Sequence, residues 1–236
     1  MINTLEEFIE EFKKVQEMGW IKTHRAGDTG VGKTLEDLLG IEENNHDEPD
    51  FGEYELKSAR LSSSSDLTLF TKAPQPRGIG KKIRMDYGYE SEFDTPELHV
   101  TLAIGKTTNI VQSDSTLELV RCEDKIYIKD HDEQKVAYWS SDAVRKAFEK
   151  KYKNKFVYAF AESRGSGRNE EFRYVSAYEV SGFDFDTIIN MLSEGKLRID
   201  LRYGHYSDGK LHDHGCAYRI NSANQPELFK NYRQIV

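Results

Sequence analysis

Residues 48–58 read EPDFGEYELKS, and the way this stretch folds decides what is built around it. Tyr54 and Leu56 alternate with Glu55 and Lys57, the period of a strand with one apolar face and one charged face. Asp50 precedes that strand across a tight Phe51-Gly52 turn, from which its carboxylate can swing toward Glu55. Two carboxylates and a main-chain carbonyl, that of Leu56, make a hard-oxygen set suited to Mg²⁺, which keeps several waters and accepts a phosphate oxygen. Mn²⁺ would substitute in such a site. Lys57 then either holds and polarises an attacking water or balances charge on a pentacovalent phosphate. A lone Glu-x-Lys is commonly a surface ion pair. The Pro49-Asp50 pair at this interval is what makes it a candidate site.

Upstream, residues 27–34 read GDTGVGKT and match the phosphate-loop pattern G-x-x-x-x-G-K-[ST] in full. That motif works when a buried strand delivers the turn to the N-terminus of a long helix. The flanks disagree: WIKTHRA before Gly27 is mostly polar and basic, and the helix after it has room for about two turns before Gly40. No later segment offers the apolar run ending in Asp that holds magnesium in such proteins. A nucleotide is therefore not expected, and a P-loop NTP-binding protein stays as an alternative. The sequence predicts instead a short helix over 34–39, with Thr34 as N-cap, Gly40 as C-terminal stop, and Glu36 poised to hold a second water or metal.

At 236 residues the chain suffices for one substantial folding unit with two lobes. Its N-terminus is acidic and amphipathic, and no apolar run approaches the ~18 residues of a membrane span, so a cytoplasmic protein is expected. Two cysteines far apart fit a reducing compartment. The net charge of -8 counts on average against nucleic acid. That average hides an asymmetry: Glu42–Glu55 carries seven acids and no Lys or Arg, whereas Lys57–Arg84 carries seven bases against the single acid Asp66. A metal site beside a phosphate-binding surface has this pattern, and so do two solvated loops of opposite sign.

The remaining chain reads as a mixed α/β protein. Leu5, Phe8, Ile9, Phe12, Val15 and Met18 recur at helical spacing, with Asn3 as cap, Glu6 as capping-box acid and Gly19 as stop. Strands are expected at 67–72, 98–104, 115–121, 124–130 and 135–140. A helix follows, with Val144, Phe148 and Tyr152 on one face, then two strands joined by a turn over Arg164–Arg168. A helix over DFDTIINMLSEG leads to strand KLRIDLRY. SARLSSSSD, the Pro/Gly-rich 74–80 and YSDGKLHDHG read as loops. The order suggests a central mixed sheet flanked by helices.

An acid on a helix, then Asp, then Glu-x-Lys, here GVGKTLEDLLG…EPDFGEYELKS, resembles the PD-(D/E)xK nuclease core. Within it the chain resembles the subgroup holding the mismatch-repair nickase MutH and the MvaI/BcnI restriction endonucleases. LTLFTKAP (67–74) and LHDHGCAYRI (211–220) are similar to stretches of the MvaI/BcnI family, with 100–160 the weakest part. The resemblance implies a restriction-endonuclease-like α/β fold, with a catalytic lobe over roughly 1–95 and a recognition lobe mainly over 155–236. It implies a type II endonuclease that hydrolyses double-stranded DNA at a CC-N-GG-type site, leaving 5′-phosphate and 3′-hydroxyl ends. Such enzymes act as monomers, and a cognate DNA methyltransferase is expected in the cell without a stable complex. Thr71 and HDHG are closer to the branch accepting A·T at the centre than to the branch with His in place of that Thr.

Under this resemblance the base-reading candidates are Arg202, His205, Tyr206, His212, Asp213, His214 and Arg219, since His and Arg donate to guanine and Asp accepts from cytosine. Zinc at His212-Asp213-His214 with Cys216, or a plain polar loop, are the competing readings of HDHG; neighbours on an extended segment point to opposite faces, which disfavours zinc. Lys33, Arg60, Lys72, Arg77, Lys81 and Lys82 are the candidates for phosphate contact, which positions DNA without specifying sequence. The nearest rival is a MutH-like nickase needing partner proteins. Plasmid incubated with the protein and Mg²⁺ should give discrete double-strand fragments without helpers; stable nicked circles would favour the nickase.

Overall fold

The structure is a computed structural model that describes residues 2–41, 49–61, 66–132, 134–152, 155–206 and 208–236. In chain order its elements are α1 (Leu5–Glu17), β1 (Ile21–Lys22), α2 (Gly30–Leu39), β2 (Tyr54–Arg60), β3 (Leu67–Thr71), α3 (Ile79–Tyr87), β4 (Leu98–Leu102), β5 (Thr108–Ile110), β6 (Ser115–Cys122), β7 (Lys125–Asp130), β8 (Lys135–Ser140), α4 (Ser141–Lys151), β9 (Lys155–Arg164), β10 (Glu171–Phe183), α5 (Phe185–Ser193), β11 (Leu197–His205), β12 (Leu211–Ile220) and β13 (Phe229–Gln234). Among the described residues the strands form three sheets, ordered β1-β10-β9-β2 with β13 on β10, β3-β12-β11-β4, and β5-β6-β7-β8.

Two compact units form: Met1–Ser64 with Tyr152–Phe183 and Phe229–Val236, and Ser65–Lys151 with Asp184–Leu228. These boundaries differ from the lobes drawn along the sequence. The reason is the parallel pairing of β2 with β9, from Tyr54↔Lys155 to Arg60↔Ala161. A hairpin cannot join parallel strands, so the chain must leave and return, and most of the second unit occupies that connection.

In the first unit α1 lays Phe8, Phe12 and Val15 on the sheet, where they meet Leu56, Val157, Phe172 and Tyr174. Its cap lies one residue later than expected: Thr4 accepts from Glu7 N, and Glu7 reaches back to the Thr4 N–H. Thr4 and Asn3 are both competent acceptors, and only the helix register separates them. In the second unit the interior is built on Leu69, Phe70, Leu98, Leu102, Leu117, Ile128 and Trp139. The buried Tyr218 stacks on Phe70 at 4.4 Å, and Trp139 Nε1 donates to Lys72 O at 2.9 Å.

Local readings fail where Gly, Pro or polar residues hide an element. α2 begins at Gly30, so Thr34 is no cap but a buried helical residue whose hydroxyl accepts from His24 N at 3.0 Å. α3 starts at Ile79 inside the stretch read as irregular, and Ser58–Arg60 continue β2. α4 ends before Tyr152. HDHG belongs to β12, because it is paired with β11 from Tyr203↔Asp213 to His205↔Leu211 despite its polarity. Glu42, Glu43, Asp47 and Glu48 of the acid-rich turn, and residues 62–65, lie outside the described residues.

Gly52 turns the chain from Asp50 into β2 with φ +52, and a Cβ there would lie 2.4 Å from the Asn3 carbonyl oxygen. Gly52→Ala should cost about 1–3 kcal/mol, read from the urea midpoint, and lower activity as Asp50 shifts; wild-type stability would refute the constraint.

Candidate active site

β2 ends its sheet, so among the described residues one of its edges has no strand partner. Leu56 and Tyr54 are buried and anchor the strand. Glu55 and Lys57 alternate with them and remain half-exposed, joined at 2.6 Å from Lys57 Nζ to Glu55 Oε1. Lys57 also lies 6.0 Å from the centre of the Phe156 ring. On the open edge, Leu56 N–H donates to Asp50 Oδ2 at 2.7 Å. This bond ties the carboxylate to the backbone between the two charged side chains. The N–H and C=O of one strand residue face the same edge, so the Leu56 carbonyl is turned the same way.

Asp50, Glu55, Leu56, Lys57, Glu36 and Lys33 all line one cleft of about 420 Å³ in the first unit. Among the other lining residues, Arg25, Asp28, Thr29 and Ser58 bring polar groups to which the sequence motifs assign no role. The GDTGVGKT stretch forms the wall opposite β2. It lacks the P-loop frame: β1 has two residues and is antiparallel to β10, and α2 has ten. Gly27 takes φ +91, and a Cβ on Gly30 would lie 2.3 Å from Arg25 O. Glycine is needed for the tight turn into the helix bearing Glu36. Tyr174, from β10, donates its buried hydroxyl to Val31 O at 2.6 Å and pins the first turn.

Lys33 pairs with Asp37 at 2.9 Å, and His24 Nδ1 lies 2.9 Å from the other Asp37 oxygen. The hydrogen bond with His24 first, then that with Lys33, holds the Asp37 carboxyl below the usual carboxylate range. Arg60 is committed within the fold, to Glu170 and to the carbonyls of Gly27 and Asp28.

In the second unit, Arg202 lies across from His99 and Gly204 across from His212, all on one face of the β4-β11-β12 sheet. A Cβ on Gly204 would meet His99 Nε2 at 2.6 Å and His212 Cε1 at 3.2 Å, so glycine lets two histidines approach. Tyr206 packs on the His212 ring at 4.8 Å. His205 points elsewhere: its side chain is 2% exposed, with Nδ1 2.8 Å from Glu97 and Nε2 2.8 Å from Thr95. Arg219 is held by Asp200 at 2.6 Å and by the Asp66 carbonyl. Thr71 is exposed opposite Ala217. Arg77 and Lys81 are exposed at the start of α3, Lys82 pairs with Asp86, and the main chain of Lys72 is tied to Cys216. The side chains of Asp213 and His214 lie outside the described residues.

The profile of the MvaI/BcnI restriction endonuclease family matches residues 9–229. The chain belongs to that family. No curated protein matches it. Among solved structures it is similar to restriction endonuclease MvaI in complex with cognate DNA, at 32% identity over 100% of both chains and a TM-score of 0.84. It is also similar to MvaI in the absence of DNA, at 32% identity over 100% of this chain and 99% of that one, with a TM-score of 0.62. The fold is thus the restriction-endonuclease α/β fold, and the chain is a sequence-specific type II deoxyribonuclease that binds DNA. Enzymes of this family generally use divalent metal ions. Among the described residues no helix is long and apolar enough to cross a membrane.

Glu97, which no sequence motif marks, has its carboxyl held low chiefly by the hydrogen bond with His205. A lowered folded-state value means the stabilisation is complete above about pH 4.3 and is lost as pH falls through the folded value. Glu97→Gln should therefore flatten the acid limb of stability against pH, followed by circular dichroism; an unaltered limb would count against the coupling.

Proposed function

We propose that this endonuclease cleaves double-stranded DNA at a CC-N-GG-type sequence with A·T at the centre, using Mg²⁺ held by Asp50, Glu55 and the Leu56 carbonyl. The observation that carries this is the bond from Leu56 N–H to Asp50 Oδ2 on the open edge of β2, beside Glu55 and Lys57. The donors fit the ion in kind: two carboxylates and a main-chain carbonyl are all hard oxygens. An ion that keeps waters and meets phosphate suits such an open set. When bound, it supplies Lewis acidity at the phosphate and acidifies a water.

The protein's own groups do the rest. Asp50 and Glu55 bind, with Asp50 oriented by the strand. Lys57 Nζ, with three donors, orients the attacking water and offsets charge on the pentacovalent phosphate as the bond to the 3′ oxygen breaks. Glu36 holds a second water. Lys33, Lys72, Arg77, Lys81 and Lys82 meet phosphates, while Arg202, Tyr206, His212, Asp213, His214 and a pre-oriented Arg219 face base edges. His205, with both ring nitrogens engaged, is proposed as scaffold instead. The enzyme acts as a monomer, one strand at a time, with a methyltransferase of matching specificity as its cellular counterpart.

Asp50→Ala or Lys57→Ala should lower cleavage by about 10²–10³-fold or more while DNA binding persists, and Lys33→Ala should leave cleavage largely intact. The opposite pattern would overturn the assignment. Sequencing the ends of digested genomic DNA gives the site directly, and ends lacking a CC-N-GG consensus would refute that part.

A further inference from the structure

Arg60 stands at the end of the strand that carries Glu55 and Lys57, and its guanidinium spans to the opposite wall of the cleft. Nε and Nη2 donate to the two oxygens of Glu170 at 2.6 and 2.8 Å, a two-pronged pair. Nη1 donates to Asp28 O at 3.1 Å and Nη2 also to Gly27 O at 2.9 Å. The plane lies 5.3 Å from the centre of the Phe172 ring. Neither partner is a surface ion: the side chain of Arg60 is 19% exposed and that of Glu170 9%. Glu170 holds the same wall a second way, since its carbonyl accepts from Thr23 N at 2.8 Å.

We infer that Arg60 is a positioning residue for catalysis, fixing the Gly27–Asp28 turn against β2 and so setting where α2 holds Glu36 and Lys33 relative to Glu55 and Lys57. This deepens the proposed function and rests on the cleft being the active site. Only a planar fork fits the task. A carboxylate is taken on one side and two successive carbonyls on the other, and Gly27 at φ +91 permits the turn that offers them. A lysine ammonium reaches one point where the guanidinium reaches four acceptors. With Nε, Nη1 and Nη2 each engaged inside the fold, Arg60 holds the wall rather than a phosphate.

The test compares wild type, Arg60→Ala, Arg60→Lys and Lys57→Ala. Single-turnover cleavage at saturating enzyme, Ca²⁺-supported DNA affinity over a range of salt, and amide exchange at 23–31 are measured. The expected result is a loss of at least tenfold in cleavage rate for both Arg60 variants. DNA affinity should stay within threefold, and faster exchange should be confined to the 23–31 segment. Guanidinium ion should restore the alanine variant, where ammonium or sodium at equal ionic strength does not. Should the alanine variant fail to fold, the lysine variant, which keeps charge and stem, carries the same comparison. A weakened affinity whose salt slope is shallower by about 0.9, with the cleavage step unchanged, would make Arg60 a phosphate contact and overturn the inference. So would wild-type rates in both Arg60 variants while Lys57→Ala is dead. If Lys57→Ala is also active, it is the reading of the cleft that fails.

Discussion

The candidate site depends on β2 being paired, among the described residues, with a strand on one side only. Its pairing with β9 is parallel and runs the length of the strand, which fixes Glu55 and Lys57 on a rigid frame. Its other edge meets Asp50. In most proteins such an edge is a liability to be covered or blunted. Here the Leu56 N–H is satisfied by a carboxylate rather than by another strand, so the hydrogen bond that quiets the edge also aims Asp50. The remainder of the cleft is arranged around that line: a glycine turn behind Asp50, and the α2 wall in front.

The parallel pairing also explains the organisation of the chain. A parallel neighbour cannot be reached by a short turn, and the connection from β2 to β9 is long enough to carry most of a second compact unit. That unit is not an appendage to a finished domain. Its chain runs through two connections of the first unit, from β2 to β9 and from β10 to β13.

Charge is distributed in the same economical way. A chain of net charge -8 that binds DNA must separate cations that meet phosphate from cations that hold the protein together. Arg60 and Arg198 belong to internal pairs, facing Glu170 and Asp66 respectively. Arg77 and Lys81 stand exposed. Residue type does not distinguish these two classes, and in sequence they read alike. His205 teaches the same lesson, buried between Glu97 and Thr95 although it sits in a run of polar residues that reads as a binding loop.

The amino-acid sequence alone determined the features whose physics is local. The alternation of Tyr54, Glu55, Leu56 and Lys57 specified a two-faced strand, the apolar stripe of α1 specified its buried side, and Gly40 specified a left-handed helix end. The order of Glu36, Asp50, Glu55 and Lys57 was enough to suggest a divalent-ion site. Tertiary structure decided whatever depends on a partner distant in the chain. Glu170 holds Arg60 from 110 residues away, Tyr174 caps the turn at Val31 from 143 away, and β11 draws HDHG into a strand its polarity disfavours. Local propensity amounts to tenths of a kcal/mol per residue, and one well-made bond or strand pairing from elsewhere in the fold outweighs it.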